Sequence, residues 1–152
     1  MRKEVTNVFL VKNDEVCLGM KKRGFGVGNW NGTGGKIEMG ESVEEGAKRE
    51  AKEEFKVELN KVENMGETLF VFKDGLEIHC HIFVCRDWKG EAVEGEEMAP
   101  KWFNINKLPL DMMWSTDVSW LPMVLMGKRI EGTYYFKNDA KTVDRFDLKE
   151  IS

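Results

Sequence analysis

Short segments in which apolar and polar residues alternate mark the strands of this chain. Residues 4–12 and 15–21 are typical of two strands, and Asn13-Asp14 between them predicts a tight turn. Asp74-Gly75 predicts a second hairpin turn. The same pattern predicts five further strands, at residues 67–73, 76–86, 101–105, 129–136 and 142–148.

Two segments instead carry the pattern of helices. Ser42, with Glu45 three residues later, forms a capping-box signature that predicts a helix start at Val43. Apolar residues then recur every fourth position, which favours one narrow stripe facing a core. Residues 118–126 predict a second helix that ends at Gly127. A mixed sheet flanked by helices fits this order of elements.

Composition and charge narrow the functional classes. The chain has 152 residues, enough for one domain spanning 1–152, and a net charge of −4. It has no basic stripe for polymeric nucleic acid, no apolar run that would span a membrane and no signal peptide. Its three cysteines are scattered, as in a reduced cytoplasmic protein. We expect a monomer that binds a small molecule.

The first predicted helix carries three clustered carboxylates, Glu50, Glu53 and Glu54. Like charges at this spacing destabilise a helix by about 0.2–0.5 kcal/mol per pair. The cluster is therefore either a solvated acidic face or a set of ligands for a hard cation such as Mg²⁺. Gly34-Gly35, before the helix, allows close approach of the backbone to a ligand and favours the second interpretation.

Residues 35–57 resemble the signature motif of the Nudix hydrolases. The spacing is long and many polar identities are fixed, so the match is specific. The late glycine of the motif is Lys56 here, at a position where a left-handed conformation closes the helix. The matching residues are Gly35, Glu41, Arg49, Glu50, Ala51, Glu53, Glu54 and Val57.

This resemblance implies a Nudix α/β/α sandwich with a mixed central β-sheet, and a hydrolase that depends on Mg²⁺, with Mn²⁺ as an alternative. It implies that Glu50 and Glu54 bind the metal together with the carbonyl of Gly34 or Gly35. Glu53 is a further ligand or the general base. Arg49 is expected to hold a carboxylate in place, with Glu41 as a possible partner.

Glu97 lies in an acidic segment and is either simply solvated or, by the resemblance, a residue that reaches the metal and acts as the base. The sequence leaves the choice between Glu53 and Glu97 open.

Residues 21–32 and 113–122 resemble the branch of the Nudix family that acts on oxidised purine nucleoside triphosphates. Asn31 and Asp117 are the expected base-binding pair, because an amide and a carboxyl together offer donors and acceptors. Two positions depart from that branch: Thr116 replaces a carboxylate and Thr33 replaces a phenylalanine, and both are expected beside the base. The remaining expected substrate-binding residues are Trp114, Phe25, Met98 and Lys21.

The resemblance thus predicts hydrolysis of oxidised purine nucleoside triphosphates, preferably 8-oxo-dGTP, to the monophosphate and diphosphate. The alternatives are a Nudix hydrolase of another nucleotide or nucleoside diphosphate derivative, and a non-catalytic nucleotide-binding domain. His79 and His81 alternate on one strand, and we expect them to be structural or to form a pocket wall.

Overall fold

A computed structural model describes residues 1–24 and 26–152, so Phe25 lies outside the described residues. The elements follow one another as strands β1–β3, helix α1, strands β4–β6, a short 3₁₀ helix, helix α2 and strands β7–β8. Their bounds are β1 Arg2–Lys12, β2 Glu15–Lys21, β3 Trp30–Asn31, α1 Val43–Phe55, β4 Glu58–Val71, β5 Glu77–Lys89, β6 Met98–Asn104, the 3₁₀ helix Leu110–Met112, α2 Ser115–Leu125, β7 Arg129–Phe136 and β8 Val143–Ile151.

The strands form one mixed sheet in the order β3-β2-β1-β5-β4-β7-β8, and β6 also pairs with β2. The β1–β5 and β4–β7 pairs are parallel, whereas the pairs formed by neighbours in sequence, such as β4–β5 and β7–β8, are antiparallel. Parallel neighbours require a crossover connection, and those two connections contain α1 and α2.

The two faces of the sheet bury separate apolar clusters, as β1 illustrates. Val8 and Leu10 pack on the side that contains the apolar stripe of α1. Phe9 and Val11 point the other way and pack with residues of α2 such as Trp120. Alternate side chains of a strand point to opposite faces. The sheet is therefore sandwiched between helices, which confirms the predicted α/β/α fold.

The ends of α1 follow the sequence signals closely. The helix begins at Val43, and both hydrogen bonds of the capping box between Ser42 and Glu45 are present. It ends at Lys56, which adopts the left-handed conformation with φ 62°. This is the conformation expected where the motif has glycine, and a lysine adopts it at a cost of about 1 kcal/mol.

Several element boundaries differ from the prediction by a few residues, β4 differs by more, and the short strand β3 was not predicted. β4 begins at Glu58 rather than at residue 67, because register shifts near Lys61 and between Asn64 and Gly66 interrupt the alternation that marks a strand. Helix α2 begins at Ser115, three residues before the predicted start.

Two further findings bear on the class of protein. Within the described ranges, no helix has the length and apolar character needed to cross a membrane. All three cysteines are buried free thiols, as the scattered positions predicted.

Candidate active site

The segment before α1 runs along the edge of β1 and brings its backbone against the helix. Thr33 and Lys36 bridge to β1, and the amide of Thr6 donates a hydrogen bond of 2.9 Å to the carbonyl of Gly35. A Cβ on Gly34 would lie 2.0 Å from the carbonyl oxygen of Thr6. Only glycine fits this close approach, which fixes the segment relative to α1.

Glu54 is anchored to that segment through one of its two carboxylate oxygens. Oε1 accepts hydrogen bonds from the Thr33 hydroxyl at 2.7 Å and from the Gly34 amide at 2.9 Å. The side chain is buried, and this burial raises the pKa of its carboxyl, while the two hydrogen bonds lower it. The anchoring leaves Oε2 to bind a ligand.

Glu50 lies one turn earlier on the same helix, directly against Gly35. A Cβ on Gly35 would come 2.8 Å from the Glu50 carboxyl, so this glycine makes room for the carboxylate. Burial raises the pKa of Glu50, and the neighbouring Arg49 opposes that shift.

Arg49 connects the carboxylates around the helix. Its Nε and Nη2 donate to the two oxygens of Glu41 at 2.6 and 3.1 Å, and its Nη1 lies 3.0 Å from Oε1 of Glu50. Nη1 also approaches Glu53 at 3.4 Å, and Nη2 donates to the carbonyl of Lys36 at 3.0 Å. Arg49 therefore holds the Glu50 carboxylate in place while it is itself paired with Glu41, the partner that was expected for it.

These residues fit a divalent metal ion. Burial raises the pKa of both carboxyls, and the negative charge of Glu50 adds to the shift at Glu54. Two partly dehydrated carboxylates of this kind are a donor set that a hard cation stabilises. Of the two neighbouring carbonyls, that of Gly35 is already paired with Thr6, whereas that of Gly34 accepts no hydrogen bond within residues 1–24 and 26–152. Gly34 is therefore the better placed of the two to offer a carbonyl ligand.

The two candidates for the general base, Glu53 and Glu97, have different surroundings. Glu53 is exposed on α1 and contacts Arg49. Glu97 is paired with Arg23, whose Nε and Nη2 donate to Oε1 at 3.0 and 2.7 Å and lower its pKa. Lys21 lies near enough to Glu97, as it does to Glu50 and Glu54, to lower the pKa of each further.

A cavity of about 750 Å³ opens beside these carboxylates. Gly34, Gly35 and Glu54 line it, and so do Asn31 and Asp117. Trp114, Met98, Thr116 and Lys21 also line this cavity. The structure thus brings most of the predicted substrate-binding residues together next to the predicted metal ligands.

Asn31 is held in a defined orientation at the cavity wall. Its Oδ1 accepts hydrogen bonds from the Gly32 amide at 2.8 Å and from Nδ2 of Asn7 at 3.1 Å. Because a backbone N–H can only meet an acceptor, these contacts identify the oxygen of the Asn31 amide. The Nδ2 group remains available to donate to a ligand.

Three buried polar groups of the cavity lack partners among the described residues: Oδ2 of Asp117, Nε1 of Trp120 and Oγ1 of Thr68. A buried polar group without a hydrogen bond costs about 1–3 kcal/mol. Burial also raises the pKa of Asp117 from 3.8 to about 7. Such a cluster indicates a site that binds a polar ligand in its interior.

Comparison with known proteins agrees with this geometry. Residues 1–124 match the model of the NUDIX domain. The chain belongs to the Nudix family. It is 42% identical over 143 residues to the oxidized purine nucleoside triphosphate hydrolase of Danio rerio, covering 93% of this chain and 92% of the relative. It is 39% identical over 147 residues to the mouse protein of the same name, covering 96% and 94%.

A solved structure shares the fold across almost the whole chain. The crystal structure of a MutT protein from Bacillus halodurans superimposes with a TM-score of 0.82 at 29% identity, covering 96% of this chain and 97% of that one. Helix α1 and the preceding glycines thus form the Nudix motif in a Nudix fold.

The structure corrects the expected place of Thr33. It was expected beside the base, but it is fully buried behind the Nudix helix and hydrogen-bonds Glu54. The strand bridge between Thr33 and Val8 places the residue at β1, where its hydroxyl meets Glu54 of α1, and Thr33 is not among the residues that line the cavity. Thr116, by contrast, is buried in the cavity wall next to Asp117, as expected.

Sequence reasoning missed three residues of this Nudix site: Asn7, Thr68 and Trp120. Each lines the cavity, and Asn7 also fixes Asn31. One signal was available, because Asn7 is a polar residue in an otherwise apolar part of β1. Thr68 looks like an ordinary strand residue, and only the fold brings it into the cavity. Trp120 lies three residues after Asp117 on α2, so the helical spacing was a second signal.

Proposed function

We propose that this Nudix protein hydrolyses oxidised purine nucleoside triphosphates, with 8-oxo-dGTP preferred, to the nucleoside monophosphate and diphosphate. The two relatives at 42% and 39% identity are named for hydrolysis of this substrate class, and they match nearly the whole chain. The removal of oxidised nucleotides before a polymerase incorporates them would follow from this activity.

The observation that carries the proposal is that the phosphate-processing residues and the unpartnered polar groups share one cavity. Glu54 and Gly34 line it near the Nudix helix, and Asp117, Trp120 and Thr68 line its interior. A nucleotide that places its phosphates at the first group brings its base to the second.

The base-binding residues suit an oxidised purine. Oxidation of guanine at C8 adds a carbonyl oxygen and converts N7 from an acceptor into an N–H donor. Asp117, with a pKa of about 7, provides an acceptor when it is ionised and a donor when it is protonated. Asn31 adds an amide N–H, since its oxygen is already engaged by Gly32 and Asn7. Trp114 offers an aromatic surface for stacking.

Glu50, Glu54 and the carbonyl of Gly34 would hold Mg²⁺, or Mn²⁺ in its place. The metal would neutralise the charge that develops on the phosphate oxygens during attack by water. Arg49 keeps the Glu50 carboxylate in position through its contacts with Glu41 and Glu50.

A general base must take a proton from the attacking water, and we assign this role to Glu97, with Glu53 as the alternative. Glu97 lies in the segment before β6, away from the helix that carries the metal ligands, and the positive charge of Lys21 lowers the pKa of Glu97 as it does that of Glu54. Lys21 lines the cavity, where its positive charge would assist in binding phosphate.

A non-catalytic binding domain is the less favoured function. Glu50, Glu53, Glu54 and Arg49 are all present, and the anchoring of Glu54 by Thr33 leaves one carboxylate oxygen to bind a ligand. We propose that residues 1–152 act as a single domain and a monomer. The three free cysteines support a reducing, cytoplasmic location.

A substrate panel tests the proposal. The measurement is kcat/KM in Mg²⁺ for 8-oxo-dGTP, 2-oxo-dATP, dGTP, dATP and ADP-ribose. We expect 8-oxo-dGTP to exceed dGTP by at least about tenfold, because one unmade buried hydrogen bond costs about 1–3 kcal/mol. The value for 2-oxo-dATP shows whether the substrate range is narrowed, because Thr116 stands where the related branch has a second carboxyl. Equal values for 8-oxo-dGTP and dGTP, or a preference for ADP-ribose, would contradict the proposal.

A further inference from the structure

A second group of potential metal ligands lies on the sheet outside the cavity. His79 and His81 share one side of β5, as their alternation predicts, together with Phe83 of the cluster beneath α1. Cys80 between them lines the nucleotide cavity on the opposite face. The two imidazoles are therefore not a wall of the base pocket.

One carboxylate oxygen serves both imidazole rings. Oε1 of Glu4 lies 2.7 Å from Nδ1 of His79 and 2.8 Å from Nε2 of His81. Arg2 lies 3.3 Å from Oε2 of Glu4 and so holds the other oxygen away from the rings. The three ligand atoms of Glu4, His79 and His81 lie within 4.8 Å of one another. We call these three residues the imidazole cluster.

A second carboxylate, that of Glu67, lies near the other ring nitrogen of His79, so two carboxylates compete for one imidazole N–H. Nε2 of His79 lies 3.1 Å from Oε2 of Glu67, yet it is buried and makes no hydrogen bond among the described residues. A neutral imidazole has only one N–H. If Nδ1 carries it and donates to Glu4, Nε2 is left as a buried acceptor with no donor among the described residues and with the Glu67 carboxylate 3.1 Å away.

A metal ion bound at Nδ1 would remove this conflict. Nδ1 would donate its lone pair to the ion, and the N–H would move to Nε2, which lies 3.1 Å from Oε2 of Glu67. In metal sites, a ligating histidine usually donates its other ring N–H to a carboxylate or carbonyl, and this contact fixes the tautomer.

We propose that the imidazole cluster binds a first-row transition metal ion, with Zn²⁺ foremost, through His79 Nδ1, His81 Nε2 and Glu4 Oε1. Glu67 positions the His79 ring. Two imidazoles and one carboxylate are a common zinc ligand set, with a fourth position left for water.

The chemistry of the ligands separates this site from the one on the Nudix helix. Imidazole nitrogens favour zinc and its neighbours over Mg²⁺, which prefers oxygen ligands and retains its water. The catalytic candidates Glu50 and Glu54 lie on α1, whereas the cluster lies on β1 and β5. Glu4 and His79 are paired in register in the parallel β1–β5 ladder, so the backbone already holds the ligands close together.

Metal binding to tag-free protein tests the proposal. Zn²⁺ and Co²⁺ are titrated by calorimetry and by visible absorption, in saturating Mg²⁺ and at a mildly alkaline pH where a free imidazole is neutral. We expect one Zn²⁺ per chain in the wild type and in Glu50→Gln/Glu54→Gln. His79→Gln and His81→Gln should abolish this binding, and Glu67→Ala should weaken it by about 10–100-fold.

A second measurement uses only the wild-type chain, so it does not depend on whether a variant folds. The chain has two histidines, and their ring ¹⁵N signals are therefore easily assigned. Added Zn²⁺ should shift Nδ1 of His79 and Nε2 of His81 as ligating nitrogens, while Nε2 of His79 remains protonated. Ring signals unaffected by stoichiometric Zn²⁺, or Zn²⁺ binding that disappears only in Glu50→Gln/Glu54→Gln, would overturn the proposal. Glu63→Gln, on β4, is the matched surface control and should bind like the wild type.

Discussion

The hydroxyl of Thr33 donates a buried hydrogen bond of 2.7 Å to Oε1 of Glu54, across 21 positions of sequence. With the amide of Gly34, it occupies the same carboxylate oxygen and leaves the other to bind a ligand. The segment that precedes the Nudix helix thus sets the orientation of the Glu54 carboxylate.

Removing this hydroxyl should weaken metal binding. Thr33→Val keeps the volume of the side chain but deprives Glu54 of one of its two hydrogen bonds. Loss of a contact that orients a metal ligand typically costs 10–100-fold in metal affinity. We expect the Mg²⁺ concentration for half-maximal hydrolysis to rise by about tenfold. Thr33→Ser, which retains the hydroxyl, should behave like the wild type, and equal Mg²⁺ requirements in both variants would contradict the anchoring role.

The metal ligands themselves should be essential for turnover but not for the fold. Glu50→Gln and Glu54→Gln remove a ligand charge from α1, and hydrolysis of 8-oxo-dGTP in Mg²⁺ should nearly cease. The free energy of unfolding and the affinity for the base should change little, because Asn31 and Asp117 are untouched. Glu44→Gln, an exposed residue of the same helix, is the control. Wild-type kcat in either ligand variant would remove that residue from the metal site.

Loss of the proposed general base should affect the kinetics differently from loss of a metal ligand. Glu97→Gln should lower kcat by about 100-fold or more while the Mg²⁺ requirement stays the same, since a base acts in the chemical step and does not hold the metal. Steady-state kinetics at several Mg²⁺ concentrations measure both quantities. If Glu97→Gln turns over normally and Glu53→Gln shows the loss instead, the base is Glu53.

Burial of Asp117 should make stability depend on pH. Its pKa is about 7 in the folded chain, against 3.8 for an exposed aspartate. The folded state therefore holds a proton that the unfolded state has lost, and its contribution to stability falls as the pH rises towards 7. Above pH 7, both states are ionised and the dependence ends.

Asp117→Asn cannot titrate, so its stability relative to the wild type should rise by about 3 kcal/mol between pH 5 and pH 8. Urea unfolding of both proteins without ligand measures this difference. Asp111→Asn, at an exposed aspartate before α2, should show no such trend. A pH-independent difference for Asp117→Asn would mean that Asp117 is ionised throughout this range.

The Nudix helix was predictable because its signals are local. The capping box of Ser42 and Glu45 and the spacing of the carboxylates depend only on helical geometry, which a sequence specifies within a few turns. The contact of Arg49 with Glu53 follows from the same spacing, whereas its contact with Glu41 reaches outside the helix. The order of strands and helices predicted a mixed sheet flanked by helices, and the family resemblance named the α/β/α sandwich.

The parts that escaped prediction depend on contacts between distant segments. Thr33 meets Glu54 only because the loop pairs with β1, and Arg23 meets Glu97 only because two loops adjoin. The first part of β4, before residue 67, was not predicted, because its irregular pairing near Lys61 interrupts the alternation of apolar and polar residues that marks a strand. Such features require the tertiary structure.

In the proposed function, Asn31 and Asp117 select an oxidised purine while the Nudix helix processes its phosphates. The most direct test is the ratio of kcat/KM for 8-oxo-dGTP to that for dGTP, measured in the wild type, Asn31→Ala and Asp117→Asn. Asn106→Ala, at an exposed asparagine outside the cavity, is the control.

We expect each site variant to lose about 10–100-fold in kcat/KM for 8-oxo-dGTP, the effect of about 1–3 kcal/mol of buried hydrogen bonding, with a much smaller change for dGTP. The selectivity ratio should therefore fall in Asn31→Ala and Asp117→Asn and stay constant in Asn106→Ala. An unchanged ratio in Asn31→Ala would show that the base binds elsewhere and would contradict the account.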